Sequence, residues 1–272
     1  MNRMMVTATN TLGQLQKQMD LIGNNLSNAD TTGYKKREAT FSDLLVQQVN
    51  NQRVDRFEGG RLTPLGVREG SGARLSKTAL NLTQGTLKAT GRSLDFALKD
   101  ERQFFKVNDG TDVRYTRDGA FYSTPMENGR SMLVNASGFP ILDENDDPIT
   151  FSGEASTFEL GDNGVLSITG PEGTENVDLG IVTIARPQFL EQLGGNLIGL
   201  RTDVGVTRNE VLTNLTGAGR TGISISQESL EASNVDMGKE MTDLLNVQRS
   251  YQFQTRSITM ADQMMGLVNG IR

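Results

Sequence analysis

The stretch that decides the fold is MNRMMVTATNTLGQLQKQMDLIGNNLSNADTTGYK, residues 1–35. Its apolar residues fall at Met1, Met5, Ala8, Leu12, Leu15, Met19, Ile22 and Leu26, an unbroken alternation of four and three steps. That spacing sets one narrow stripe along a helix, the pattern of a coiled-coil seam. A single helix cannot bury such a stripe, and isolated helices of this length are marginal in water. The seam therefore calls for a partner.

The far end of the chain offers one. From Ser233 onward Met237, Met241, Leu244, Val247, Tyr251, Ile258, Ala261, Met265 and Val268 follow a similar period, with a three-residue break near Leu244 and polar Gln254 on the seam. Ser233 and Asp236 fit a capping box that starts this helix. The methionines read as core filling between helices, since Met adapts to imperfect packing. Two such helices at opposite ends can pair with each other, with neighbouring molecules, or with both.

Composition narrows the function. The chain has 272 residues, 36% of them hydrophobic, enough for one or two domains with a core. A net charge of −6 and no cluster of Lys and Arg argue against nucleic acid as a partner. Residues 1–32 and 233–272 each sum to zero charge, so the middle carries the excess, and neutral helices can stack without self-repulsion. The absence of Cys and His removes the usual zinc sites, thiol nucleophiles and Ser-His catalysis. No stretch reaches the length of a membrane span and no apolar leader opens the chain, so composition by itself points to the cytoplasm.

After the first helix comes a turn rich in Asn, Ser and Thr, where Gly33 suits a residue of positive φ. Residues 40–46 have a brief helical period. The Gly- and Pro-rich run from Gly59 to Gly72 reads as an extended connector. The centre is β in character: Asp109-Gly110, Asp118-Gly119, Asn128-Gly129 and Ser137-Gly138 separate short runs of strand formers, and Asn163-Gly164 continues the series. The expected fold is α+β: residues 1–32 and 233–272 form a coiled-coil-like helical assembly domain, 33–76 a connector with extended or hairpin character, and 77–232 an antiparallel, meander-like or barrel-like β domain.

Three features invite a chemical reading. Gly217-Ala218-Gly219-Arg220-Thr221-Gly222 matches a dinucleotide fingerprint, but a strand pattern follows it where a helix should, so it reads as a flexible linker. Asp143 to Asp147 with Glu154 resembles a calcium loop, yet Pro148 stands where the sharp turn wants Gly, so it reads as a solvated turn. Asp95, Asp100, Glu101 and Asp118 could be paired as hydrolytic carboxylates, but turn and loop chemistry explains them. The sequence thus gives no catalytic residue, no metal ligand and no cofactor site.

Three phrases in order resemble the bacterial flagellar rod and hook protein family. Asn24-Asn25-Leu26-Ser27-Asn28-Ala29-Asp30-Thr31-Thr32-Gly33-Tyr34-Lys35 is similar to its N-N-x-A-N-x-x-T-x-G-Y-K signature. Tyr115-Thr116-Arg117-Asp118-Gly119-Ala120-Phe121 resembles Y-T-R-x-G-x-F of its β domain. Leu230-Glu231-Ala232-Ser233-Asn234-Val235-Asp236, then Gln248-Arg249-Ser250-Tyr251, resembles its closing L-E-x-S-N-V-D and Q-R-x-Y. Ser27 departs from the usual Ala, and Lys36-Arg37 lengthen the basic step after Tyr34. The length and single β region look more like distal or proximal rod proteins than a hook or hook-junction subunit.

The resemblance implies a non-enzymatic structural subunit of the basal-body rod, exported without signal cleavage by the flagellar type III apparatus. It also implies a helical homopolymer, joined to other rod and hook proteins, as a torque-transmitting drive shaft. That replaces the cytoplasmic default with the basal body outside the cytoplasmic membrane. The expected assembly residues are Met5, Leu12, Leu15, Met19, Ile22, Asn25, Asn28, Thr32, Gly33, Tyr34, Leu230, Ser233, Asn234, Val235, Met241, Leu244, Arg249 and Tyr251. Two rivals are weaker: a glycan-binding or wall-degrading protein lacks the aromatic platform it would need, as there is no Trp, and a secreted adhesin would need no rod partners.

Overall fold

A computed structural model describes residues 2–43, 46–49, 67–70, 73–153, 157–170, 173–194, 196–201 and 205–270. The chain divides into two compact units, each described by itself. One comprises Met1–Leu26, Glu38–Thr78 and Met237–Arg272; the other comprises Ser27–Arg37 and Ala79–Asp236.

The first unit holds the two long helices, Asn2–Ser27 and Met237–Gly270. On the N-terminal helix the expected stripe is the inward one: Ala8 and Ile22 are buried and Met5, Leu12, Leu15, Met19 and Leu26 half-buried, whereas Val6, Thr9, Gly13, Gln16 and Asp20 are exposed. The inward stripe of the C-terminal helix is Glu240, Leu244, Val247, Tyr251, Gln254, Ile258, Ala261 and Met265, in strict four–three alternation. This corrects the expected break near Leu244. The register runs on unbroken because Glu240, not Met241, takes the seam position, and Met241 is 50% exposed beside it. The Asn25 amide donates to the Glu240 carboxylate at 3.3 Å, joining the two helices.

Two further expectations fail in this unit's neighbourhood. The described residues of 40–46 are strand: Arg37–Asp43 pairs with Ala73–Leu80 and Val46–Val49 with Val67–Gly70, and this pairing overrides a weak local period, while residues 44–45 lie outside the described residues. The N-terminal helix meets the second strand through Gln14, whose side-chain oxygen accepts from Leu75 N at 2.8 Å. Of the expected connector Gly59 to Gly72, Val67–Gly70 pairs with Val46–Val49 as an antiparallel ladder; the rest lies outside the described residues. The capping box is also displaced. The helix starts at Met237, and Ser233 Oγ instead accepts from Val235 N at 3.3 Å, closing a turn before it.

The second unit is built on a six-stranded sheet in the order Leu190–Gln192, Leu197–Leu200, Val113–Thr116, Gln103–Asn108, Ile181–Ile184, Leu212–Asn214. Two three-stranded sheets accompany it, one of Tyr122–Pro125, Arg130–Val134 and Thr150–Ser152, the other of Thr157–Leu160, Val165–Gly170 and Gly173–Asp178. Pairing is antiparallel throughout these three sheets, as expected. The barrel-like expectation does not hold among the described residues: the large sheet is open, ending at Leu190–Gln192 and Leu212–Asn214, and its order is not that of a simple meander.

Successive side chains of a strand point to opposite faces, and both faces of the large sheet are covered. Phe104, Val182 and Ile184 belong to one apolar cluster with Tyr115, Ile198 and Val211. Phe105, Val107 and Ile181 belong to a second, larger one with Phe96, Phe121, Leu133 and Phe151. Phe121 packs edge-on against Phe105, with ring centroids 5.1 Å apart.

The Gly217–Gly222 segment corrects the flexible-linker expectation. It folds as 3₁₀ turns around Arg220, which is buried and donates to Gly164 O at 3.0 Å and Leu179 O at 3.2 Å while facing Glu144 and Asp178. The acidic run is likewise ordered by its own turn: Asp143 Oδ1 accepts from Asn145 N and Asp147 N, and Asp146 pairs with Lys106 at 2.8 Å.

Candidate functional site

Within the second unit the three family-like phrases converge on one buried site. Past the N-terminal helix the chain turns through Asn28, whose carbonyl accepts from Thr31 N at 3.3 Å and whose side chain accepts from the Thr31 hydroxyl. Thr32 donates its hydroxyl to Asp118 at 3.0 Å, and its carbonyl accepts from Asn196 at 2.8 Å. Gly33 follows with φ +68°, and its N–H donates to Glu231 O at 2.8 Å. A side chain at Gly33 would sit 2.6 Å from the Arg117 carbonyl carbon. The position thus needs glycine twice, for its backbone angle and for the close approach of the central phrase.

The next residues tie the turn to the phrase before the C-terminal helix. Tyr34 is buried at 2% exposure. Asn234 accepts from Lys36 N at 2.7 Å and donates to Asn81 O at 2.9 Å and Thr83 O at 3.0 Å. Leu230 stands opposite Lys88 in the short ladder of Ser229–Glu231 with Leu87–Ala89. Val235 and Ser233 are half-buried beside it in the chain.

At the centre lie Lys35, Arg117 and Glu231, one from each phrase, with side chains at most 1% exposed. Lys35 Nζ is 2.7 Å from Glu231 Oε1 and also donates to Thr83 O at 2.8 Å and Leu82 O at 3.3 Å, which uses all three of its protons. Arg117 Nε donates to the other Glu231 oxygen, and its terminal nitrogens donate to the carbonyls of Asp100, Gln103 and Leu98. Gly85 N adds a donor to Glu231 at 2.8 Å. Two cations thus share one carboxylate, and five backbone carbonyls face the surplus positive charge. Burial draws the Lys35 ammonium below its ordinary pKa, against the pull of Glu231. Burial pushes the Asp118 carboxyl up, opposed by its hydrogen bonds from Ala120 N and Thr32.

Within the second unit this junction ties the segment that follows the N-terminal helix to the central phrase and to the segment that precedes the C-terminal helix. Of the expected assembly residues it gathers Asn28, Thr32, Gly33, Tyr34, Leu230, Ser233, Asn234 and Val235. The helical unit holds Met5, Leu12, Leu15, Met19, Ile22, Asn25, Met241, Leu244, Arg249 and Tyr251. There Arg249 is exposed and Leu244 and Tyr251 are half-buried. Reading the sequence missed Lys35, Arg117 and Glu231 as site residues although all three stand inside the quoted phrases. The Asp95, Asp100 and Asp118 carboxylates are spent locally, on Arg92, on Arg102 N and on Ala120 N.

A C-terminal line of apolar side chains has no such role. Phe253, Met260 and Leu267 recur every seven residues on the C-terminal helix, with Met264 between the last two, and they are 66%, 56%, 69% and 52% exposed. No helix of the described chain is long and apolar enough to cross a membrane.

Comparison with known proteins agrees with these three segments. Residues 5–35 match a family described as flagella basal body rod protein, residues 101–168 the flagellar hook protein FlgE/F/G D1 domain, and residues 226–271 the flagellar basal body rod FlgEFG protein C-terminal region. The chain is 39% identical over 276 residues to the flagellar hook-basal body complex protein FlhP of Bacillus subtilis, covering 100% of both. It is 30% identical to the flagellar basal-body rod protein FlgG of the same organism, covering 97% of each, and 31% identical to FlgG of Borreliella burgdorferi, covering 100% of this chain and 99% of that one. Full-length likeness at this level, with family matches whose spans include the phrases of the buried junction, makes the chain a member of the flagellar basal-body rod protein family.

Proposed function

We propose that this structural, non-enzymatic rod subunit assembles by self-association of its terminal helices into a helical tube. The observation that carries the reading is the exposed line Phe253, Met260, Met264 and Leu267, apolar at helical spacing and uncovered among the described residues. A contiguous apolar line of this kind marks an interaction surface. Different faces of identical subunits meeting head to tail give an open helical polymer, which suits a shaft. Rod and hook proteins would be its neighbours, and the flagellar export apparatus its route across the cytoplasmic membrane.

Purification of basal bodies from the native bacterium, followed by immunodetection of the chain, tests the reading. The expected result is co-purification with the rod, and loss of swimming when the gene is deleted. Its absence from intact basal bodies, with swimming retained in the deletion strain, would overturn the proposal.

A further inference from the structure

Asn25 and Glu240 are the polar exception in the helical unit. Glu240 occupies a seam position of the C-terminal helix and is only 6% exposed; Asn25, at 1%, donates to it at 3.3 Å. Burying a carboxylate is costly unless a hydrogen-bonding partner is in place. The neighbouring Met237 and Met241 lie off the seam, 43% and 50% exposed, so Glu240 is the side chain that the stripe buries at this level.

The apolar positions of the seam do not define an alignment. A slide of seven residues brings Val247 to the place of Glu240, Tyr251 to that of Leu244 and Ile258 to that of Tyr251, so one half-apolar stripe replaces another. Such a slide takes Glu240 away from the Asn25 amide and sets Gln254 at the place of buried Val247, so the polar positions distinguish the alignments, and the charged Glu240 the most. A single polar residue at a seam is a known device for fixing register at some cost in stability. We infer that the Asn25–Glu240 hydrogen bond is a register lock, selecting one alignment of the terminal helices over alignments one heptad away. The inference concerns the helix pair of one chain and stands apart from the proposed polymerisation.

The chain has no Cys, so paired spin labels can be placed cleanly on the exposed Gln16 and Asn246 of the full-length protein. Their distance distribution would be measured by pulsed electron resonance at a concentration where the protein is monomeric. With Glu240 present a single narrow population is expected. Glu240→Met should keep the helix content and add a population displaced by about 10 Å, the axial length of seven residues. Glu240→Gln, which keeps a hydrogen-bonding oxygen, should restore the single population. One unchanged population in Glu240→Met would overturn the inference, as would a loss of helix content with no second population, since that would make the pair merely stabilising.

Discussion

Lys35 and Glu231, separated by 196 positions in sequence, meet at 2.7 Å with both side chains 1% exposed. Arg117 completes the group from the other side of the same carboxylate. Removing the anion leaves two buried cations facing each other, whereas removing Lys35 leaves a balanced Arg117–Glu231 pair. Glu231→Ala should therefore cost about 3–5 kcal/mol, the usual penalty for breaking a buried pair, and Lys35→Met clearly less. Urea unfolding of the two variants, followed by a probe in the β body, checks the order; equal losses would show that the carboxylate is not the hub.

Gly33 combines a φ of +68° with backbone of Arg117 and Asp118 where a Cβ would go, while Gly91 has φ +71° and open space around it. Gly91→Ala should lose only the conformational term, about 1 kcal/mol. Gly33→Ala should lose more than that, because the turn must also withdraw from the central phrase, and Gly33→Val more again. Thermal unfolding midpoints of the three variants separate strain from crowding.

Acid stability should depend on Asp109. Its carboxylate accepts from Arg114 Nε at 2.7 Å, from Asp112 N at 2.9 Å, and from both the hydroxyl and the N–H of Thr111, and these bonds hold its pKa well below the usual carboxylate range. A carboxyl whose folded pKa is depressed stabilises the fold above its unfolded value near 3.9, and that contribution is lost as pH falls. The wild-type protein should lose stability steadily below about pH 4, and Asp109→Asn, less stable at neutral pH, should show a flatter profile there. Parallel slopes for the two proteins would contradict this account.

Arg220 gives the dinucleotide-like hexapeptide a structural meaning. Arg220→Met should strip donors from Gly164 O and Leu179 O and leave Glu144 and Asp178 without their shared cation. Gly164 O keeps the Leu179 N–H at 3.1 Å, so the loss falls on Leu179 O and the two carboxylates; a buried acceptor left without a donor costs about 1–3 kcal/mol, which thermal unfolding would register. A nucleotide added to the wild type should produce no shift in the same measurement.

The N-terminal stripe, and the C-terminal one from Leu244 to Met265, were legible because a period of three and four needs no tertiary knowledge, whereas Met237, Met241 and Val268 are exposed. The Gly33 turn was legible because its left-handed backbone is written into the residue type, and φ is +68°. What was not legible required distant partners. Glu240 was passed over for Met241 because a carboxylate counts as a surface residue until an Asn25 stands opposite it. Lys35, Arg117 and Glu231 were read as letters of a signature, since the pairing that buries them joins segments from three parts of the chain. Residues 40–43 look helical only until Ala73–Leu80 supplies a ladder, and Gly217–Gly222 looks like a linker only until Arg220 finds its carbonyls. Sheet order failed for the same reason: turn dipeptides announce hairpins but not which strand returns to the middle.

The most direct measurement is sedimentation of the purified full-length chain across a concentration series, beside Phe253→Asp/Met260→Asp/Leu267→Asp. All three residues are exposed, so the variant should fold with the same circular dichroism and unfolding midpoint as the monomeric wild type. The account predicts that the wild type associates as concentration rises and that the variant stays monomeric. A folded variant that associates as the wild type does would contradict the claim that this line of the C-terminal helix builds the rod.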